Sequence, residues 1–522
     1  MQGKKDFIPK MLYQVYLDDL VAQDNFYRLL DQALDLHFLY RETAKYYGYE
    51  GNESIDPVVF FKICLVGYLN NINSDRKLIE YCSNCLDVRL FIRYDIDETL
   101  PWHSTISRTR QLYGEEVFLK LFQKVLTLCV EKGMVRGKRQ AMDSAFIKAN
   151  ASLDSLIEKE VVDDVVVYAD QLNANSDYKV TAEKKKQVDQ HHAWKQRTLK
   201  DTPGYDYKDG KVGHSGEFIQ SRLLSNHTHY SPTDPDARIA TKPGKPRNLC
   251  YLGQLSVDTF HHVITGAMAD FADQRDSQCI ERIVERTNEN LEMNGLKIKK
   301  LLADTGYSSG SALQYLEEND IDAYIPNFGQ YKPEREGFIY NKELDQYECQ
   351  RGNKAILPFK SIRQSHGGDY QFKNYRSSES VCKPCPLCKE CCGEKTKFKK
   401  IDHSIYKSYY DRMHKKLTEN KAYTQRMSRL RSSTVEPVLG TLINFLNMKR
   451  VNTRGIDLAS KHVLMAAVSY NLKKYLKFIT KKAKSKAVAL QIEVKTAFST
   501  YFSAFRLIFS CCKPIILKIE NY

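Results

Sequence analysis

The feature that most constrains this chain is the order of its periodic segments between residues 139 and 325. "RQAMDSAFIKA" (139–149) alternates like a strand, and "LCYLGQLSV" (249–257) with "HHVITGAM" (261–268) reads as a two-strand hairpin. Cys279, Ile280, Ile283, Val284 and Leu291 then recur at helical spacing, with Gly295 as the stop. "LLADTGYSSG" (301–310) carries an apolar run into Asp304, a helix follows over 309–318, and "IDAYIPNFG" makes another strand. A strand and hairpin followed by helix, strand, helix and strand describe an α/β domain on a mixed sheet. In such sheets functional groups gather beyond the carboxyl ends of strands, where Asp304 falls.

Taken singly, the acids of this region have plain readings. Asp304 suits a turn, its side chain capping nearby N–H groups. Asp143 lies among Met142, Ala145 and Phe146, where a buried charge costs free energy unless compensated, and a solvent-facing Asp at a sheet edge is the alternative. Farther on, Thr434 is expected to cap a helix with Val435, Glu436 and Pro437 in its first turn and Val438, Leu439, Leu442 and Leu446 on its apolar face. An acid in a first turn gains about 0.3–1 kcal/mol from the helix dipole without doing chemistry.

Upstream, residues 16–133 read as helical, with Asp56 and Pro57 opening one helix as cap and first-turn proline. Residues 74–114 suggest helix, connection, helix, with Pro101 near the second start and Arg108 and Arg110 on that helix. This suits a helix-turn-helix unit, or a solvated helix face. From about 150 to 235 the chain turns polar and irregular, as an insertion would.

The 522 residues carry 79 Lys and Arg against 64 acids, a net charge of +15 that favours a polyanionic partner such as nucleic acid. No signal peptide and no membrane span is evident, which points to the cytoplasm, where the 14 cysteines are reduced thiols or metal ligands and not disulfides. "CKPCPLCKECC" (382–392), with Cys349 upstream, has spacing suited to Zn²⁺, the preferred ligands being Cys349, Cys382, Cys385 and Cys388, with Cys391 or Cys392 as substitutes. A reduced knuckle is the alternative. Cys82 and Cys85 share the spacing but lie on an amphipathic helix, where packing explains them. "NLKKYLKFITKKAKSK" (471–486) reads as a solvated face that also suits phosphate contacts.

Together, "MDSAFIKANAS" (142–152), the stretch from Asp234 to Asp270, "LLADTGYSSG", "STVEPVLGTLINFLNMKRVNTRG" (433–455) and "PWHSTISRTR" (101–110) resemble the DDE transposases of bacterial insertion sequences, in particular the group of insertion sequence eleven-eighty-two. The resemblance covers residues 16 to 478 and implies an RNase H-like mixed-sheet catalytic domain, an α-helical InsH-like N-terminal domain and an inserted Cys-rich subdomain. The implied boundaries are 1–135 for the helical domain, 136–325 for the first catalytic part, 326–425 for the Cys-rich insertion, 426–480 for the catalytic Glu helix and 481–522 for a tail. It makes Asp143, Asp304 and Glu436 the catalytic acids, holding two Mg²⁺ (or Mn²⁺) ions. Without metal, three converging acids repel and at least one tends to protonate. It also implies double-stranded DNA partners, the element's inverted repeats and its target, and a homodimer that holds two ends. Where relatives often carry a Lys seven residues after the Glu, this chain has Ile443, which leaves Arg429, Arg431, Lys449 and Arg450 as the basic groups near the site. An inactive transposase-derived DNA-binding protein and a stand-alone nuclease of the same fold are the competing readings.

Overall fold

A computed structural model of the chain describes residues 16–48, 54–158, 226, 229–241, 246–327, 329, 331–365 and 370–481. The N-terminal part is helical: α1 (Phe26–Ala33), α2 (Phe38–Thr43), α3 (Pro57–Leu69), α4 (Asp75–Asn84), α5 (Leu86–Ile92), α6 (His103–Leu112) and α7 (Glu115–Glu131). The start of α3 follows from its residues. Asp56 Oδ1 accepts the N–H groups of Val58 and Val59 at 2.6 and 3.2 Å, and Pro57 occupies a position whose N–H has no helical partner to lose. Nearly all of α3 is buried, so it serves as the central helix of this part.

The first sheet begins with β1 (Arg139–Lys148). A short pair, β2 (Ile157–Glu158) with β3 (His229–Tyr230), brackets the polar insertion, most of which lies outside the described residues. Then come β4 (Arg238–Ala240), β5 (Asn248–Asp258), β6 (Ile264–Phe271), α8 (Asp276–Glu292), β7 (Lys300–Leu302), α9 (Gly310–Glu318) and β8 (Asp322–Tyr324). The order is β4-β5-β1-β7-β8, with β6 beside β5. β1 is antiparallel to β5 and parallel to β7, and β7 is parallel to β8, so the mixed sheet and the β5–β6 hairpin read from periodicity are both present.

Between residues 326 and 406 lies more than a Cys-rich knuckle. β9 (Phe338–Asn341), β10 (Gln346–Cys349), β11 (Ile356–Gln364) and β12 (Gln371–Arg376) are followed by short helices α10 (Glu379–Cys382) and α11 (Cys388–Cys392) and by β13 (Lys400–Ser404). The five strands form a second, antiparallel sheet in the order β13-β12-β11-β10-β9.

α12 (Lys407–Glu419) leads into α13 (Lys421–Phe445), and a last helix, α14, covers residues 456–481. α13 corrects the expected start at Thr434. Its cap is Asn420, whose side chain accepts the Tyr423 N–H at 3.0 Å, and Pro437 lies inside the helix. The upstream turns form because Met427 is buried along with Val435, Val438, Leu439 and Leu442, extending the apolar face past the proline. α14 is buried through most of its length and joins the helical part to the first sheet in one continuous core. Polar contacts fix this seam: Tyr68 Oη to His462 Nδ1 at 2.7 Å, Asn71 Oδ1 accepting the Asn447 N–H at 2.9 Å, and Asn73 Nδ2 donating to the Arg450 carbonyl at 3.0 Å. Among the described residues no helix is long and apolar enough to cross a membrane. The tail beyond 481 lies outside them.

Candidate active site

Strand register brings the first two acids together. Ala141 of β1 stands opposite Leu302, the last residue of β7, and Asp143 and Asp304 each follow two residues later. The parallel register thus sets Asp143 on β1 level with Asp304, two residues past the end of β7. Asp304 caps the turn at Thr305–Tyr307, its Oδ1 accepting the Gly306 N–H at 2.9 Å. The turn-starting role and a place at the strand end are therefore compatible.

Glu436 comes from α13, which lies across β1. Arg431, on the same helix, joins the two elements. Its Nη1 donates to Asp143 Oδ2 at 2.9 Å and its Nη2 to Glu436 Oε1 at 3.3 Å. The Arg431 and Asp143 side chains are mostly buried, whereas that of Glu436 is 58% exposed. Burial pushes the Asp143 carboxyl above its ordinary range; the Ser144 N–H and the Arg431 guanidinium draw it back, and the Asp304 carboxylate pushes it up again. Asp304 thus lies near enough to act electrostatically on Asp143.

Beneath the acids runs a polar network that no sequence pattern announced. Tyr307 is fully buried, and its hydroxyl is kept protonated by burial first and then by the carboxylates of Asp276, Asp143 and Asp304. It donates to Gln254 Oε1 at 2.5 Å, while Gln254 Nε2 donates to Asp276 Oδ1 at 3.3 Å. A Cβ at Gly306 would lie 2.9 Å from Asp276 Oδ2 and 3.0 Å from Asp304 Oδ1, so the turn needs glycine where the two acids close in. Beside Asp304 opens a cleft of about 220 Å³ lined by Thr305, Tyr324, Pro326, Thr424, Ser428 and Arg431.

The basic residues divide. Arg108 is exposed on α6, but Arg110 is 9% exposed and turned inward, both terminal nitrogens on Asp75 at 2.9 and 2.8 Å. The expectation of two DNA-facing arginines on this helix reduces to one, because Asp75 at the start of α4 claims the other. Arg429, Lys449 and Arg450 are exposed. The backbone at 449–451 pairs with the end of β1, the Lys148 N–H meeting the Lys449 carbonyl at 3.2 Å, and Arg450 reaches Asn150 at 3.2 Å.

Among the described residues no three His, Cys, Asp or Glu side chains are grouped as a metal site, and the Arg431 guanidinium lies between two of the acids. The donor chemistry still suits a hard divalent cation: the groups are carboxylates, and positive charge is already stabilised between them. Cys349, Cys382, Cys385, Cys388, Cys391 and Cys392 line a separate cavity in the second sheet's lobe.

Two family models match the chain, one described as a transposase domain (DUF772) over residues 15–112 and one described as a transposase DDE domain over residues 348–476. No curated protein matches it. The first match spans α1 to α6, and the second runs from β10 through α13, with Arg431 and Glu436, into α14. Asp143 and Asp304 lie outside both and are tied to the second by the sheet and by Arg431. A transposase domain and a transposase DDE domain, in that chain order and joined through a mixed α/β sheet, support a DDE transposase of an insertion sequence, an enzyme that acts on DNA.

Proposed function

We propose that this transposase binds the terminal inverted repeats of its own insertion element, cuts DNA strands there and joins the freed ends to target DNA. The observation that carries the reading is the register that sets Asp143 beside Asp304, with Glu436 linked to Asp143 through Arg431. Asp143, Asp304 and Glu436 would hold two Mg²⁺ (or Mn²⁺) ions, which when bound supply an activated hydroxyl and stabilise charge on the departing oxygen. The protein's own part is to hold these carboxylates ready. Arg431 offsets the repulsion between Asp143 and Glu436, and Tyr307 with Gln254 braces the turn below Asp304. Arg108, Arg429, Lys449 and Arg450 are the exposed cations offered to phosphates, which fix the duplex in place without reading its sequence. A homodimer would hold the two ends of one element.

The test uses DNA duplexes carrying the inverted repeats found beside the coding region, incubated with full-length protein and Mg²⁺ or Mn²⁺. Strand cleavage at the repeat end, followed by joining through its 3′-hydroxyl, is the expected result. Cleavage that survives Asp304→Asn unchanged would overturn the assignment.

A further inference from the structure

The lobe built on β9–β13 gathers cysteines that the active site does not use. Cys349 ends β10, Cys382 ends α10 and Cys385 follows in the next turn. On α11, Cys388, Cys391 and Cys392 stand at relative positions zero, three and four, which places them on one helix face. All line one cavity of about 260 Å³.

Backbone geometry brings the sheet and the Cys-rich segment together. Asn353 Nδ2 donates to the Val381 carbonyl at 3.0 Å, the Cys385 N–H meets the Cys382 carbonyl at 3.1 Å, and the Cys388 N–H meets the Cys385 carbonyl at 2.9 Å. Gly352, at φ +53°, has Cys385 Sγ 2.4 Å from where a Cβ would stand. Cys385 therefore rests on the turn that follows Cys349. Across the cavity α11 presents the thiols of Cys388, Cys391 and Cys392.

Apolar packing does not account for this arrangement. From Glu379 to Cys392 only Cys382 is buried, and the lobe's core consists of Tyr347, Leu357, Tyr375 and Ile401 with Phe338 and Tyr340 against them. A segment with so little to bury needs a staple.

We propose that this cavity binds one Zn²⁺ through the thiolates of Cys349, Cys382, Cys385 and one cysteine of α11, clamping the 379–392 segment to the end of β10. Zinc takes four thiolates in a tetrahedron, and C-x2-C turns supply them in pairs. Binding releases one proton per thiol and leaves two net negative charges on the site. Arg351 and Lys399 line the same cavity and offset that charge, Lys399 already donating to the Cys391 carbonyl at 2.5 Å. Among the described residues the thiols are not yet grouped around one position. Closing the set requires Cys349 to leave the Arg351 carbonyl, which it meets at 2.9 Å, and Cys382 to leave Ser377 Oγ at 3.0 Å. Cys388, Cys391 and Cys392 share one face of α11, and one of them completes the set.

This inference is independent of the DNA chemistry, since the acids stand on the first sheet, just past it and on α13, and zinc content is read without DNA. Full-length protein, purified under reducing and chelator-free conditions, should carry about one zinc per chain. Co²⁺ in its place should show the charge-transfer absorption of thiolate ligands. Cys349→Ser and Cys382→Ser should each bring zinc to background, Cys349→His should restore it through a nitrogen ligand, and Cys85→Ser should leave it unchanged. Chelation of the unaltered protein should expose residues 349–400 to limited proteolysis and leave β1 and β5 protected. Background zinc in folded unaltered protein, full zinc in Cys349→Ser or Cys382→Ser, or disulfides among these cysteines without metal would each overturn the proposal.

Discussion

The sheet that carries Asp143 shares one continuous core with α1–α9 and α12–α14, whereas the sheet of β9–β13 buries Tyr347, Leu357, Tyr375 and Ile401 against one another and little else. Apolar burial stabilises by roughly 25 cal/mol per Å², so the first sheet can hold repelling acids on rigid strands and absorb their cost. The second cannot rely on area. Its strands are tied by polar contacts, with the Tyr340 and Tyr375 hydroxyls both on Asp345 Oδ1 at 2.6 Å, Lys373 on Asp345 Oδ2 at 3.0 Å, and His403 between Tyr347 and Tyr375 at 2.8 and 3.1 Å. Burial alone would raise Asp345, but the two hydroxyls and Lys373 hold it down at about 2. One sheet is specified by packing, the other by hydrogen bonds and thiols.

The largest expected effect isolates the chemistry of the first sheet. Asp304→Asn should lower strand cleavage on the order of 10²–10³-fold or more while a mobility-shift assay on the same preparation shows binding to element ends nearly intact. Equal loss of both in a folded variant would show that Asp304 supports the fold and not the reaction.

Cavity-forming changes probe the comparison directly. Leu301→Ala in β7 and Leu357→Ala in β11 each remove a fully buried side chain, at a cost of about 2–5 kcal/mol. The first should lower the midpoint of global unfolding. The second should leave that midpoint nearly unchanged and raise hydrogen exchange in β9–β13 alone; a shared loss of midpoint would show that the sheets unfold as one unit.

Acid should separate them as well. Burial, and then Lys407 and Lys373, push the His403 imidazole down to about 4, so the folded lobe keeps it neutral while the unfolded chain takes up a proton near 6.5. Its stability is therefore complete above 6.5 and lost as pH falls toward 4. His462 is also lowered to about 4, but it sits in the large core. Exchange protection should fall first in β9–β13 between these pH values, and His403→Gln should flatten that dependence.

The smallest effect concerns DNA contacts. Arg108→Ala should weaken binding similarly for all sequences and reduce the slope of log affinity against log salt by about 1. Arg110→Ala should instead lower thermal stability, because it strands Asp75 at the seam. A reversal of these two outcomes would mean that α6 meets DNA through its inner face.

The same contrast explains what could be read beforehand. β1, the β5–β6 hairpin, α8 and α9 announce themselves because their apolar residues recur at clear periods, and Asp304 falls at a strand end for the same reason. β10 and β12, "QYEC" and "QFKNYR", are too polar to stand out, since their buried residues are Tyr347, Asn374 and Tyr375. Pro437 resembles a helix start because proline favours that position, yet the buried Met427, ten residues earlier, extends the helix through it. Arg110 and Arg108 look alike in one dimension; only the position of Asp75 on α4 separates them. The Tyr307–Gln254–Asp276 contacts join residues 53 and 22 positions apart, beyond any local pattern.

The short pair of β2 and β3 has a consequence for how this chain can vary. Ile157 stands opposite Tyr230 and Glu158 opposite His229, so the chain leaves the catalytic unit and returns to it at one doorway. Ser155 and Ser231 hydroxyls, 2.9 Å apart, latch it just outside the pair. Doubling the length of an excursion that starts and ends at one place costs only about 0.6 kcal/mol in closure entropy. The pairing of β2 with β3 thus fixes where the connection begins and ends, and the pairing of β1 with β5 that sets the height of Asp143 is made by the described strands themselves.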